Sequence, residues 1–434
     1  MKTNKEIFRA RRQRLLQHMG SGVALVPTAP EAVRSRDSYH PYRFDSHFHY
    51  LTGFPEPEAV LFVVAGESPR SVLFCRDKDL EREIWDGFRY GPGGALEFFG
   101  VDEAYSISQL EELAPQLLAN QPRLHYALGA DEAWDRRVAA WLQSVRAQAR
   151  AGVSAPTEIS DLHALLSEMR LIKSPEEQDI MRRASDISAA AHVRAMRAVR
   201  PGMMEYEIEA ELLYEFRRQG AQSPAYHSIV AGGANACVLH YVFNNTQLHD
   251  GDLLLIDAGC ELDGYASDIT RTFPVNGKFT GAQKDLYELV LAAQAAAIEK
   301  VRPGCHWNEP HEAALAVLAR GFVDFGLCHG TPDAVIESGD YRRFYMHRTG
   351  HWLGMDVHDV GEYKKQDAWR PLQPGMVLTV EPGCYVRPAD KVPEHFWDIG
   401  IRIEDDAVVT AAGCEIITAG VPKTVTDIEA LMAR

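Results

Sequence analysis

Leu253-Leu254-Leu255-Ile256-Asp257-Ala258-Gly259-Cys260-Glu261-Leu262-Asp263-Gly264-Tyr265-Ala266-Ser267-Asp268 sets two carboxylates where a buried strand meets its returning partner. Residues 253–256 form the continuous apolar run of a core strand, and such strands do not normally end in an unpaired carboxylate. Asp263-Gly264 is a hairpin turn signal, and residues 266–273 read as the return strand. With Asp263 and Gly264 in the turn, Asp268 falls opposite Gly259. That is two positions from Asp257 and on the same face. Two carboxylates aimed at one small volume repel unless a cation lies between them. Further ligands are therefore expected elsewhere in the chain.

The C-terminal part contains a diverged internal repeat. Val199-Arg200-Pro201-Gly202 recurs as Val301-Arg302-Pro303-Gly304, each copy ahead of a helical pattern. Asp257-Ala258-Gly259-Cys260 closes one apolar strand, and Glu381-Pro382-Gly383-Cys384 closes another, residues 376–380. Two related halves facing each other would bring these strand-end acids to one centre. Glu404 adds a further carboxylate after the apolar stretch 399–403. Residues 347–359 hold His347, His351 and His358, with glycines that allow close backbone approach and argue against a regular helix. No HExxH motif occurs; His311-Glu312 begins like one but lacks the second histidine. Oxygen-rich ligands with one imidazole suit Mn²⁺ best, with Co²⁺ or Zn²⁺ as alternatives. Four acids and one histidine suffice for two bridged metals about 3.5 Å apart, and hydrolysis is the natural chemistry of such a pair. A GxSxG elbow, a Walker A loop and a GxGxxG fingerprint are all absent.

The remaining composition is that of a cytoplasmic globular protein. The 434 residues suffice for two domains, and a net charge of -16 argues against nucleic acid or an anionic membrane as partner. No apolar stretch is long enough to span a bilayer, and the charged start of the chain lacks a signal-peptide core. Seven cysteines without a CxxC pair suit free thiols in a reducing compartment. Residues 1–172 read as an N-terminal α/β domain, with a basic helix over 4–19 and strands at 23–26, 60–64 and 71–75. Gly91-Pro92-Gly93-Gly94 reads as a surface turn, and the aromatic-rich segment 88–99 as a surface loop with Trp85 beside it. The second domain, 173–434, begins with a helix capped by Ser174 and Glu177 and running to about Val199. A second helix, 206–218, ends at Gly220.

The chain resembles the proline peptidases. Residues 347–359 look like their signature, and Asp257, Asp268, His351, Glu381 and Glu404 match in type and order the five metal ligands of that superfamily. The N-terminal residues Arg36-Asp37, Tyr42-Arg43, Asp45-Ser46, Tyr50-Leu51-Thr52-Gly53-Phe54 and Glu56-Pro57-Glu58-Ala59 look like the bacterial Xaa-Pro aminopeptidase group. The resemblance implies an α/β protein whose C-terminal domain has the pita-bread fold of two pseudo-symmetric halves. It implies two Mn²⁺ ions, a metal-bridging hydroxide, and release of an N-terminal residue that precedes proline. It also implies a homo-oligomer, a dimer or tetramer, with the N-terminal domain serving assembly and site access. Glu381 would then take and pass the proton, His358 would hydrogen-bond the developing oxyanion, and His240 would contact substrate. His347 would line the proline pocket, and Arg402, two residues before Glu404 and so on the same strand face, is expected to orient it by a charge-assisted hydrogen bond. A prolidase, cleaving Xaa-Pro dipeptides, would share every ligand; a non-catalytic binding module on this fold would lack several.

Overall fold

The computed structural model describes residues 5–433, so Asn4, the expected start of the basic helix, lies outside them. The chain divides into two compact units, Met1–Met169 and Arg170–Arg434.

The first unit is a six-stranded mixed sheet flanked by helices. Its strand order is Glu103–Ser106, Arg70–Cys75, Val60–Ala65, Gly22–Pro27, Arg123–His125 and Glu158–Ser160. The three central strands are antiparallel neighbours and the outer pairings are parallel. Val60–Ala65 is buried along its whole length, as a strand covered on both faces must be. The basic helix is Lys5–Met19. The segment read as a surface turn is instead the start of a helix, Gly91–Phe99, and Leu80–Asp86 is another. Pro92 occupies the first turn, where its missing N–H costs nothing. Leu80, Ile84, Trp85, Leu96 and Phe98 nevertheless stay exposed on these helices, as does Phe88 between them, Trp85 by 83%.

The second unit opens with the helix Pro175–Ala198. The Glu177 N–H donates to Ser174 Oγ at 3.4 Å, and the Ser174 N–H donates to Glu177 Oε2 at 2.9 Å, closing the capping box. The helix Glu205–Arg218 follows, and Gly220 lies just beyond it at φ +96°.

The internal repeat is structural. The Gly202 N–H donates to Leu248 O at 2.7 Å, and the Gly304 N–H donates to Leu372 O at 3.0 Å. Leu248 N–H returns a bond to Met203 O, as Leu372 N–H does to Cys305 O. Each half then builds a long antiparallel hairpin with a break at the acid-x-Gly-Cys motif. In the first, Leu253–Asp257 pairs with Thr270–Pro274; past the break, Glu261 pairs with Ala266 and Leu262 with Tyr265 in the same register. The flanking bonds Ala258 N–H to Ile269 O and Ser267 N–H to Cys260 O place Gly259 opposite Asp268, as the turn signal predicted. In the second, Val377–Val380 pairs with Asp405–Val409, and Gly383–Val386 pairs with Ile399–Arg402. The two hairpins meet along one seam. There Glu404 N–H donates to Thr270 O at 3.1 Å, and Thr272 Oγ1 donates to Arg402 O at 3.1 Å.

Candidate metal centre

The seam brings the broken hairpins' acids together on the floor of a cavity of about 580 Å³. Single donor atoms of Asp268, His351 and Glu404 all lie within 4.8 Å of one another. His351 Nε2 is 3.4 Å from Asp268 Oδ2 and 3.7 Å from Glu381 Oε1. Its other nitrogen, Nδ1, is 3.0 Å from Trp352 O, so Nδ1 carries the proton and Nε2 faces the carboxylates. Asp257 stands beside Asp268, and the Tyr226 hydroxyl reaches Asp257 Oδ1 at 2.7 Å and Asp268 Oδ1 at 2.5 Å.

Glycine lets the histidine segment approach so closely. Residues 349–353 run as an irregular strand beside Val377–Val380, with Thr379 N–H donating to His351 O and Glu381 N–H to Thr349 O. A Cβ at Gly350 would lie 2.1 Å from Thr379 O. His358 packs edge-on against His351 with ring centroids 4.4 Å apart, and His240 and His347 complete the cavity's imidazoles. His240 and His358 are exposed to the cavity mouth.

Residues 179–411 match the model of metallopeptidase family M24, and residues 8–126 match that of the aminopeptidase P N-terminal domain. The chain belongs to metallopeptidase family M24. This M24 chain is 47% identical over 432 residues to the Xaa-Pro aminopeptidase of Escherichia coli K12, covering 99% of this chain and 98% of that protein. It is 36% identical over 421 residues to human Xaa-Pro aminopeptidase 3, covering 94% and 80%. Aminopeptidase PepP of Pseudomonas aeruginosa superposes with a TM-score of 0.98 at 52% identity, over 100% of this chain and 99% of that one. A variant of Escherichia coli aminopeptidase P in complex with substrate superposes at 0.97 and 46% identity, over 100% and 99%. The two broken hairpins are thus the two halves of the M24 pita-bread fold.

The M24 site has the electrostatics of a cation trap. Burial pushes the Glu404 carboxyl well above its ordinary range, and repulsion from Asp268, Glu381 and Asp257 adds to it. Burial likewise raises Asp268, and raises Glu381 to about 7 against the pull of His351 and Arg402. Burial alone would lower His351, but Asp268 and Glu381 outweigh it and hold the imidazole at about 9. Four carboxylates crowding one imidazole and one guanidinium form a hard oxygen-rich donor set that fits divalent cations.

Arg402 does not bond Glu404 directly, contrary to the strand-step expectation. Its Nη2 donates to Asp257 Oδ2 at 2.6 Å, across the seam. Its Nε donates to Thr270 Oγ1 at 3.1 Å, and Thr270 in turn donates to Glu404 Oε2 at 2.6 Å. The guanidinium thus holds one carboxylate outright and the other through a hydroxyl. Its Nη1 donates to Tyr385 OH at 3.0 Å, and Tyr385 OH lies 2.9 Å from His347 Nε2. His347 Nδ1 lies 2.8 Å from Arg348 O, and burial lowers this imidazole to about 3, so it is neutral.

Sequence reasoning missed Tyr226, Thr270, Tyr385 and Asp406. Asp406 Oδ2 accepts the Asp268 N–H at 3.0 Å, fixing the backbone at that carboxylate. Thr270 was within reach, because strand alternation puts it on the face of Asp268. Tyr226 and Tyr385 carry no local pattern; only the seam brings them in.

Proposed function

We propose that this chain is a metal-dependent aminopeptidase that hydrolyses the bond between an N-terminal residue and a penultimate proline. The observation that carries the reading is the acid-and-imidazole cluster at the seam, in a chain aligned end to end with Xaa-Pro aminopeptidases. Asp257, Asp268, His351, Glu381 and Glu404 would hold two Mn²⁺ ions. When bound, the ions supply a nucleophile at neutral pH and Lewis-acid polarisation of the scissile carbonyl. Glu381 would take a proton at its carboxylate and pass it to the leaving nitrogen. His358 would donate to the carbonyl oxygen as charge develops there, and His240, which lines the same cavity, would contact substrate and help the proton to the leaving nitrogen.

Proline suits this cavity because its nitrogen carries no N–H and its ring is fixed. Ile229, Leu239, Val242 and Val357 offer apolar walls, with neutral His347 beside them. The first unit would serve assembly and access to the site. Its exposed apolar side chains Ile84, Trp85 and Phe88 support a homo-oligomer, a reading that sedimentation at the monomer mass would overturn. The scattered, largely buried cysteines suit a cytoplasmic protein. No described helix is long and apolar enough to cross a membrane.

Asp268→Ala and Glu381→Ala test the site. Each should cut Xaa-Pro peptide hydrolysis by more than about a hundredfold while far-UV circular dichroism stays that of the parent. Full activity in either variant would sink the two-metal assignment.

A further inference from the structure

Glu205 is a carboxylate with no exposed surface, and no proposed catalytic step uses it. It opens the helix Glu205–Arg218, where the helix dipole favours a negative charge. Among the described residues no cation pairs with it; its two oxygens take four uncharged donors instead. Oε1 accepts from the Gly232 N–H at 2.8 Å and from Asn235 Nδ2 at 3.0 Å. Oε2 accepts from the Tyr241 hydroxyl at 2.8 Å and the Thr246 N–H at 2.9 Å. These donors come from both ends and the middle of the segment 232–246, so one carboxylate closes that loop around itself. A carboxylate bond to a hydroxyl or amide is charge-assisted and stronger than a neutral one.

The loop carries His240 to the cavity rim, between Leu239 and Tyr241, which pack on the small cluster of Ile229, Leu255 and Tyr385. His240 is exposed, and no hydrogen bond among the described residues holds its ring. Val238, Val242 and Phe243 are exposed by 48%, 46% and 77%, so the His240 ring itself has no apolar cover from them. Tyr241, the residue next to His240, is only 7% exposed. A second anchor is Asn244, whose Oδ1 accepts the Val230 N–H at 3.0 Å and whose Nδ2 donates to Ser228 O at 2.9 Å. Tyr241 and Asn244 thus tie the chain just after His240, and the Glu205 bond to Tyr241 is the tie adjacent to the imidazole.

We propose that Glu205, acting through the Tyr241 hydroxyl, is a positioning residue that fixes His240 over the reacting bond. This rests on the role proposed above for His240. A ring displaced by about 1 Å at such a site loses up to about a hundredfold in rate, so a single lost anchor should be visible in turnover.

The test is a double-mutant cycle on the full chain with Mn²⁺ and an Xaa-Pro-Xaa tripeptide. Tyr241→Phe keeps the ring and removes only the hydroxyl, and Glu205→Gln keeps the shape and removes the charge. Tyr241→Phe should lower kcat about tenfold with the Mn²⁺ dissociation constant unchanged, and Glu205→Gln should do the same. In a His240→Ala background Tyr241→Phe should cost nothing further, since the group it positions is gone. An equal loss in both backgrounds overturns the inference, as does a parental kcat in Tyr241→Phe. If His240→Ala alone leaves turnover intact, the role of His240 is wrong and the inference falls with it. Should Glu205→Gln fail to fold, the Tyr241→Phe arm decides alone.

Discussion

A carboxyl group buried among other carboxyls keeps its proton until a cation replaces it. Glu404, Asp268 and Glu381 are all raised in this way, Glu381 from 4.5 to about 7, and His351 is held at about 9. A group whose pKa is raised on folding binds more protons in the folded chain than in the unfolded one. Its stabilisation is therefore complete below the unfolded pKa and is lost as pH rises through the folded pKa. For Glu381 that window runs from about 4.5 to about 7, and His351 continues the loss toward about 9. Chelator-treated protein should thus lose stability as pH rises through this range. Mn²⁺ must displace the same protons, so its stabilising effect should grow with pH. Melting temperatures with and without Mn²⁺ should diverge between pH 5.5 and 8; a constant gap would contradict this. Gly259 is the other decisive single residue. A Cβ there would lie 1.8 Å from Ser267 O, a backbone atom that cannot swing aside. Gly259→Ala should push apart the strands carrying Asp257 and Asp268, weakening Mn²⁺ binding at least tenfold by isothermal titration. An unchanged affinity would show that the hairpin break does not set the ligand spacing.

Among the elements, the broken hairpin is the working unit. One register runs through each hairpin, and the break at acid-x-Gly-Cys frees the acid to face the seam. The 253–268 stretch was legible because turn chemistry and period-two alternation fix register locally. The capped helix was legible for the same reason, since Ser174 and Glu177 lie within one turn. Arg402 was not. Alternation put it on the face of Glu404, but its long side chain crosses the seam to Asp257, and the seam is a tertiary fact. Gly91-Pro92-Gly93-Gly94 misled because glycine content outweighed the helix-start meaning of its proline. The histidine segment has its own anchor. Asp359, beside His358, takes Lys173 Nζ at 2.9 Å and Arg170 Nη2 at 2.5 Å, all three side chains at most 2% exposed. Burial works against the Asp359 carboxylate, but Lys173 and Arg170 outweigh it and hold its pKa below the usual range. Asp359→Asn should leave two buried cations undercompensated and cost about 3–5 kcal/mol by urea denaturation. A loss below about 1 kcal/mol would show that the cluster adds no net stability.

At the scale of the whole chain, duplication explains why the centre lies where it does. Two halves carrying the same loop-helix-hairpin plan place their strand-end acids face to face, and the cluster of Asp268, His351 and Glu404 draws on both halves. The repeat was readable from Val-Arg-Pro-Gly and acid-x-Gly-Cys, because those residues make the same backbone turns twice. The supporting tyrosines and Asp406 were not readable, because each meets its ligand from a distant part of the chain. Metal-dependent cleavage ahead of a penultimate proline is read out by following release of the first residue from an Xaa-Pro-Xaa tripeptide, with the Xaa-Pro dipeptide in parallel. The tripeptide should be cleaved faster, the activity should vanish with chelator and return with Mn²⁺. Preference for the dipeptide, or cleavage that survives chelation, would contradict the account.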